Sequence, residues 1–155
     1  MPKFTYSFKG GLPVLPIRVG ITDARRQELE SKRIPVTGPL DVPATALLDT
    51  GASITTVDEY IIHKFNLKKA QPMRLRPNAS SEPRATNCYV ARITILPPAS
   101  AQQGQWEKQT FETICIAEGG IKIDTHGFNA LIGMDVLKHC VLTYDGPNEV
   151  FTLDF

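Results

Sequence analysis

An apolar run that ends in a carboxylate, Ala46-Leu47-Leu48-Asp49-Thr50-Gly51-Ala52-Ser53, is the stretch of this chain best suited to carry chemistry. A short buried strand here delivers Asp49 into a tight loop, where Gly51 lets backbone pass at close range. A carboxylate so placed can move protons. Asp and Gly are also common turn residues, however, and a lone Asp-Thr-Gly reads first as a strand ending in a turn. A second stretch changes the balance. Ala130-Leu131-Ile132-Gly133-Met134-Asp135-Val136-Leu137 is again an apolar strand that ends at Gly, here leading into a short apolar helix.

Other chemistries find less support. His63, His126 and His139 lack ligand spacing to one another or to a Cys, so no metal site and no cofactor are expected. Cys88, Cys115 and Cys140 are odd in number and widely separated, and are read as reduced core or half-buried thiols. Ser53 has no identifiable His partner and no Gly-x-Ser-x-Gly elbow. Trp106 with Phe111 reads as core, not as a base-stacking platform.

Together the Asp49 and Gly133 stretches resemble the retropepsin-like aspartic peptidases, the single-domain family of retroviral proteases and related cellular and bacterial proteins. The likeness runs from Ala44 to Phe155. In that family an apolar-apolar-Asp-Thr/Ser-Gly-Ala motif carries the catalytic Asp, and a later apolar-apolar-Gly motif supports the catalytic loop from beneath. The resemblance implies Asp49 as the catalytic residue, with Thr50, Gly51 and Ala52 shaping its loop and Leu131, Ile132 and Gly133 supporting it. It also implies a flap, a hairpin tipped near Asn78-Ala79-Ser80-Ser81 that closes over bound peptide. Gly133-Met134-Asp135-Val136-Leu137 and Leu142-Thr143-Tyr144-Asp145-Gly146 look more like bacterial and cellular members than viral ones. Two departures from the viral pattern are Ser53 and Met134, where many viral members carry an Asp and an Arg that pair; losing both leaves no unpaired charge. A third is the flap, since no Gly occurs between Gly51 and Gly104, although Asn78 tolerates the left-handed region.

The family mechanism uses two carboxylates that share a proton, the ionised one taking a proton from water while its protonated partner polarises the scissile carbonyl. Asp124-Thr125-His126-Gly127 is a near miss for a second motif, with His126 where the turn glycine belongs, and Asp145-Gly146-Pro147 is a hairpin turn. The second Asp is therefore expected from an identical chain across a two-fold axis. The expected partners are that second subunit and an extended peptide or protein substrate. The alternative on the same fold is a catalytically silent dimerisation or peptide-binding module.

The elements that must position these residues follow from length and pattern. A chain of 155 residues suits one domain that buries roughly two thirds of the surface its unfolded form exposes. Net charge of +1 supplies no long-range field for nucleic acid or an anionic membrane, so neither is an expected partner. Met1-Pro2-Lys3-Phe4 lacks signal-peptide character and no apolar run reaches membrane-spanning length, so a cytoplasmic protein is expected. Residues 1–43 read as an N-terminal hairpin with a polar insertion, and residues 44–155 as the core holding both motifs. Phe4–Phe8 alternates as a strand, Leu12–Ile21 is a second whose Pro13 and Pro16 favour an edge or a bulge, and Thr22–Arg33 is a solvated, charged stretch with a possible short helix. Thr56 and Glu59 form a capping-box signature before a helix expected over Val57–Phe65. Strands follow at Tyr89–Leu96 and Trp106–Ala117, then the Leu131–Gly133 strand, a short helix over Met134–Lys138, and a terminal hairpin of Val141–Tyr144 with Val150–Phe155. The fold expected is all-β, a retropepsin-like closed barrel with one or two short helices.

Overall fold

The computed structural model describes residues 2–36, 38–76, 82–101 and 107–155. In chain order the elements are β1 (Lys3–Ser7), β2 (Val14–Gly20), α1 (Asp23–Ser31), β3 (Asp41–Leu48), β4 (Thr56–Asp58), α2 (Glu59–Ile62), β5 (Lys68–Lys69) and β6 (Met73–Leu75). They continue with β7 (Arg84–Thr86), β8 (Cys88–Ile95), β9 (Gln109–Glu118), α3 (Ile123–His126), β10 (Ala130–Ile132), α4 (Met134–Leu137), β11 (Val141–Asp145) and β12 (Val150–Asp154).

Six strands in the order β2-β3-β10-β4-β9-β8 form a barrel, closed where β8 returns to β2 and carrying β5 on the free stretch of β8. Closure removes the unpaired edge that an open sheet exposes. Alternating apolar positions fill the interior: Ile17 and Val19, Ala44 and Ala46, Ala91, Ile93 and Ile95 are all buried, and β4 and β10 add Val57 and Ile132. A second sheet, β1-β12-β11, joins the two ends of the chain, with Phe4 opposite Leu153 and Tyr6 opposite Phe151. The Tyr6 and Phe151 rings stack at 5.1 Å, and the Tyr6 hydroxyl donates to the Leu96 carbonyl at 2.6 Å, tying this sheet to the barrel. Burial pushes the Tyr6 hydroxyl well above its ordinary pKa. Cys88 and Cys115 are buried and Cys140 is half-buried, all free thiols. No helix among the described residues is long and apolar enough to cross a membrane.

Several local expectations are corrected. β2 is neither an edge nor bulged, since it pairs with β3 along its whole length and with β8 from Ile17 to Gly20. Pro16 is tolerated because it lies just beyond the β8 ladder, where only its carbonyl is used, accepting from the Leu96 amide at 3.2 Å. The helix expected over Val57–Phe65 shrinks to one turn, because Thr56–Asp58 is held between β10 and β9. Its cap is Asp58, whose Oδ1 accepts from the Tyr60 amide at 3.2 Å, in place of Thr56. The described residues hold four helices where one or two were expected. One of them, α3, occupies Asp124-Thr125-His126 and ends on Gly127 at φ 78°, a left-handed cap that suits glycine. The Met73–Arg84 hairpin forms as β6 and β7, pairing Met73 with Thr86 and Leu75 with Arg84. Its expected tip, Asn78, Ala79, Ser80 and Ser81, lies outside the described residues, as does Trp106.

The charged stretch after β2 is a helix of nine residues. Thr22 caps it by accepting from the Arg25 amide at 3.1 Å, Leu29 is its buried anchor, and Arg25 Nε reaches the Asn66 carbonyl at 2.9 Å. Glu28 accepts from Lys32 and Arg25, each at 2.8 Å, and these bonds hold its carboxyl at about 2, below the ordinary 4.5. A carboxyl lowered on folding contributes stability that is full above about 4.5 and is lost as pH falls through about 2. Thermal melts of wild type and Glu28→Gln should therefore differ near neutral pH and converge at the acid end of that window.

Candidate active site

The Asp49 loop begins on a parallel ladder. Ala46, Leu47 and Leu48 of β3 lie against Ala130, Leu131 and Ile132 of β10, and the Asp49 amide adds the last rung by donating to the Ile132 carbonyl at 3.0 Å. The chain then turns tightly. The Ala52 amide donates to the Asp49 carbonyl at 3.1 Å, and the Gly51 amide donates to Asp49 Oδ1 at 2.9 Å. A Cβ at Gly51 would stand 3.2 Å from that oxygen, so glycine here makes room for the carboxylate. Thr50 is exposed and Ala52 is half-buried.

The second motif meets this loop directly. A Cβ on Gly133 would lie 2.7 Å from the Ile54 carbonyl carbon and 2.9 Å from the Ala52 oxygen, which leaves no space for a side chain. The next two amides, Met134 and Asp135, donate to the Ala52 and Ser53 carbonyls at 2.8 and 3.2 Å. These are first-turn donors of α4 that have no partner within the helix. The Asp135 carboxylate completes the tie: Oδ1 accepts from the Thr55 amide at 3.0 Å and the Thr55 hydroxyl at 2.8 Å, and Oδ2 accepts from the Thr113 hydroxyl at 2.7 Å. Thr55, fully buried, in turn accepts from the Gly133 amide at 3.2 Å.

Sequence reasoning brought the two motifs together but missed the clamp of Thr55, Thr113 and Asp135. One signal was available: Asp135 is the only charged residue in an otherwise apolar helix, in the first turn where orphan amides gather. It also missed Asn129, which accepts from the Thr45 amide through its side chain at 2.9 Å and from the Asp58 amide through its carbonyl at 3.0 Å, joining β3 and β4 at the start of β10.

Asp49, Gly51 and Ala52 open into a cavity of about 460 Å³. Leu131 and Ile116 give it apolar wall, and the β6–β7 hairpin contributes Leu75, Arg76, Arg84 and Thr86. Glu118 is the second carboxylate of the lining and is paired with Arg84 at 3.3 Å. A larger cavity of about 600 Å³ lies between α2 and α3 and does not include Asp49. Its lining mixes Asp58, His63, Lys64 and Asp124 without bringing three ligand-type side chains together, and no such group occurs elsewhere among the described residues. The chemistry points to the smaller cavity, where a carboxylate stands on a braced loop beside apolar wall.

No protein-family model matches the chain, and no curated protein matches it.

The clamp can be tested by stability. Asp135→Ala leaves the buried Thr55 amide and hydroxyl without an acceptor and should cost about 2 kcal/mol or more in urea unfolding. Asp135→Asn keeps one acceptor oxygen and should cost less. Gly133→Ala should destabilise by about 1–3 kcal/mol, because backbone is what its methyl would meet.

Proposed function

We propose that this chain is a retropepsin-type aspartic endopeptidase that works as a homodimer and hydrolyses peptide bonds in extended polypeptides. The observation that carries this reading is Asp49 itself, held on a loop that β10 and α4 brace through backbone contacts, at the mouth of a cavity bordered by a hairpin. The six-stranded barrel with a short helix after Gly133 agrees with it. One Asp lines the cavity, and the other acid there, Glu118, is engaged by Arg84, so the second carboxylate of the dyad is assigned to a partner chain's Asp49. One Asp49 carboxylate then accepts a proton from the attacking water while the other, protonated, polarises the scissile carbonyl. Thr50 and Gly51 shape each loop, and Leu131, Ile132 and Gly133 hold it from below. The substrate lies extended between the loops and the β6–β7 hairpins, bound by strand-like backbone hydrogen bonds.

The decisive experiment mixes chains. Asp49→Asn alone should abolish cleavage of a peptide library without loss of folding, because it keeps the side-chain volume and removes the ionisable group. When wild type and Asp49→Asn are mixed equally and allowed to exchange as dimers, about a quarter of dimers are fully wild type by random pairing. Activity per wild-type chain should fall by about half. Unchanged activity after verified exchange would sink the shared site, and a wild type that binds peptides without cutting them would be the silent module.

A further inference from the structure

The charged side chains lining the cavity at Asp49 sum to zero, yet one of its two guanidinium groups has no carboxylate partner. Besides Asp49, its charged lining consists of Arg76, Arg84 and Glu118. Arg84 and Glu118 neutralise each other at 3.3 Å. Arg76 is exposed at the end of β6, and among the described residues, which include every Asp and Glu of the chain, no carboxylate pairs with it. The same hairpin adds Arg74, whose Nη2 donates to the Pro83 carbonyl at 3.3 Å and which likewise has no carboxylate partner. Apolar wall lies alongside, from Leu75, Ile116, Ile121 and Leu131.

We infer that this site selects peptides with an acidic residue close to an apolar one, and that Arg76 is the residue that sets the selection. A guanidinium fork matches a carboxylate in two parallel hydrogen bonds, and the neighbouring apolar wall weakens solvent screening around the pair. A lysine in the same place meets Arg76 as a like charge. It finds little compensation from Glu118, whose carboxylate is already taken by Arg84. The apolar side chain of the substrate rests against Leu75 and Leu131, beside the Asp49 loop. This inference rests on the proposed peptide site, and it concerns which peptides bind there, apart from whether they are cut.

The test uses binding and cleavage in parallel. Labelled peptides built around an apolar pair, identical except for Glu, Gln or Lys at one position scanned across both flanks, are titrated against the 155-residue Asp49→Asn chain by fluorescence anisotropy. The same peptides are incubated with wild type and followed by chromatography. At low salt the best Glu peptide should bind about tenfold more tightly than its Lys counterpart, equivalent to about 1.4 kcal/mol. The ratio should approach one in an Asp49→Asn, Arg76→Gln double variant and invert with Arg76→Glu. It should also shrink at about 1 M salt, where the screening length is about 3 Å. Equal affinities at every position, no binding of any peptide, or a ratio untouched by Arg76→Gln would each overturn the inference. A Glu preference in binding without cleavage by wild type upholds it while removing the peptidase; cleavage without charge preference does the reverse.

Discussion

The contact on which the structure depends is the meeting of two backbones at Gly133. β3 and β4 are consecutive strands, yet β10 lies between them, parallel to one and antiparallel to the other, so that Leu131 faces both Leu47 and Thr56. The loop from Asp49 to Thr55 must therefore cross the end of β10 to reach β4. It crosses at Gly133, at a separation that excludes even a methyl group. The crossing also solves a hydrogen-bonding problem. Loop carbonyls at Ala52 and Ser53 need donors, the first turn of α4 has donors without acceptors, and each set satisfies the other. Asn129 does the corresponding work at the opposite end of β10, so the inserted strand is pinned to both neighbours at both ends.

The placement of Asp49 follows from this arrangement more than from contacts of its own side chain. The side chain has one internal bond, from the Gly51 amide. What surrounds it is over-determined: the amide of Asp49 is fixed by Ile132, and the far end of its loop by Asp135 acting on Thr55. Thr113 brings β9 into the same clamp, so three parts of the barrel agree on where the loop runs. A carboxylate held through its backbone keeps its second oxygen clear of internal bonds, which would suit the proton transfer proposed for it.

The sequence announced what is local. Strands with period-two burial such as β1, the apolar run into Asp49 and the glycine after Ile132 were all legible, because pattern and turn chemistry act over a few residues. What stayed hidden depends on partners far along the chain. Phe4–Phe8 reads as the first arm of a hairpin, but β1 pairs with β12 at the other end of the molecule. Thr56 reads as a cap because Glu59 follows it, yet pairing on both sides makes Thr56–Asp58 a strand and passes the cap to Asp58. Pro16 reads as an edge residue because the sequence does not show where the β8 ladder stops. The Asp135 clamp was illegible for the same reason, since Thr55 and Thr113 gain meaning only when β4, β9 and α4 are assembled.

Charge shows the same divide between sum and placement. A net charge of +1 rules out a strong overall field, but it is silent on where the individual charges fall. Screening confines each charge to about 8 Å at physiological salt, so a substrate inside the Asp49 cavity responds to the few groups lining it and to little else. There Arg84 pairs with Glu118, leaving Arg76 without a carboxylate partner and Asp49 free for the role proposed for it. A two-fold axis through the proposed dimer would repeat this set, because an isologous interface duplicates every residue. An extended peptide crossing that axis would then meet one Arg76 on each side of the bond to be cut, and a selection built from a single arginine would extend to both flanks of the scissile bond.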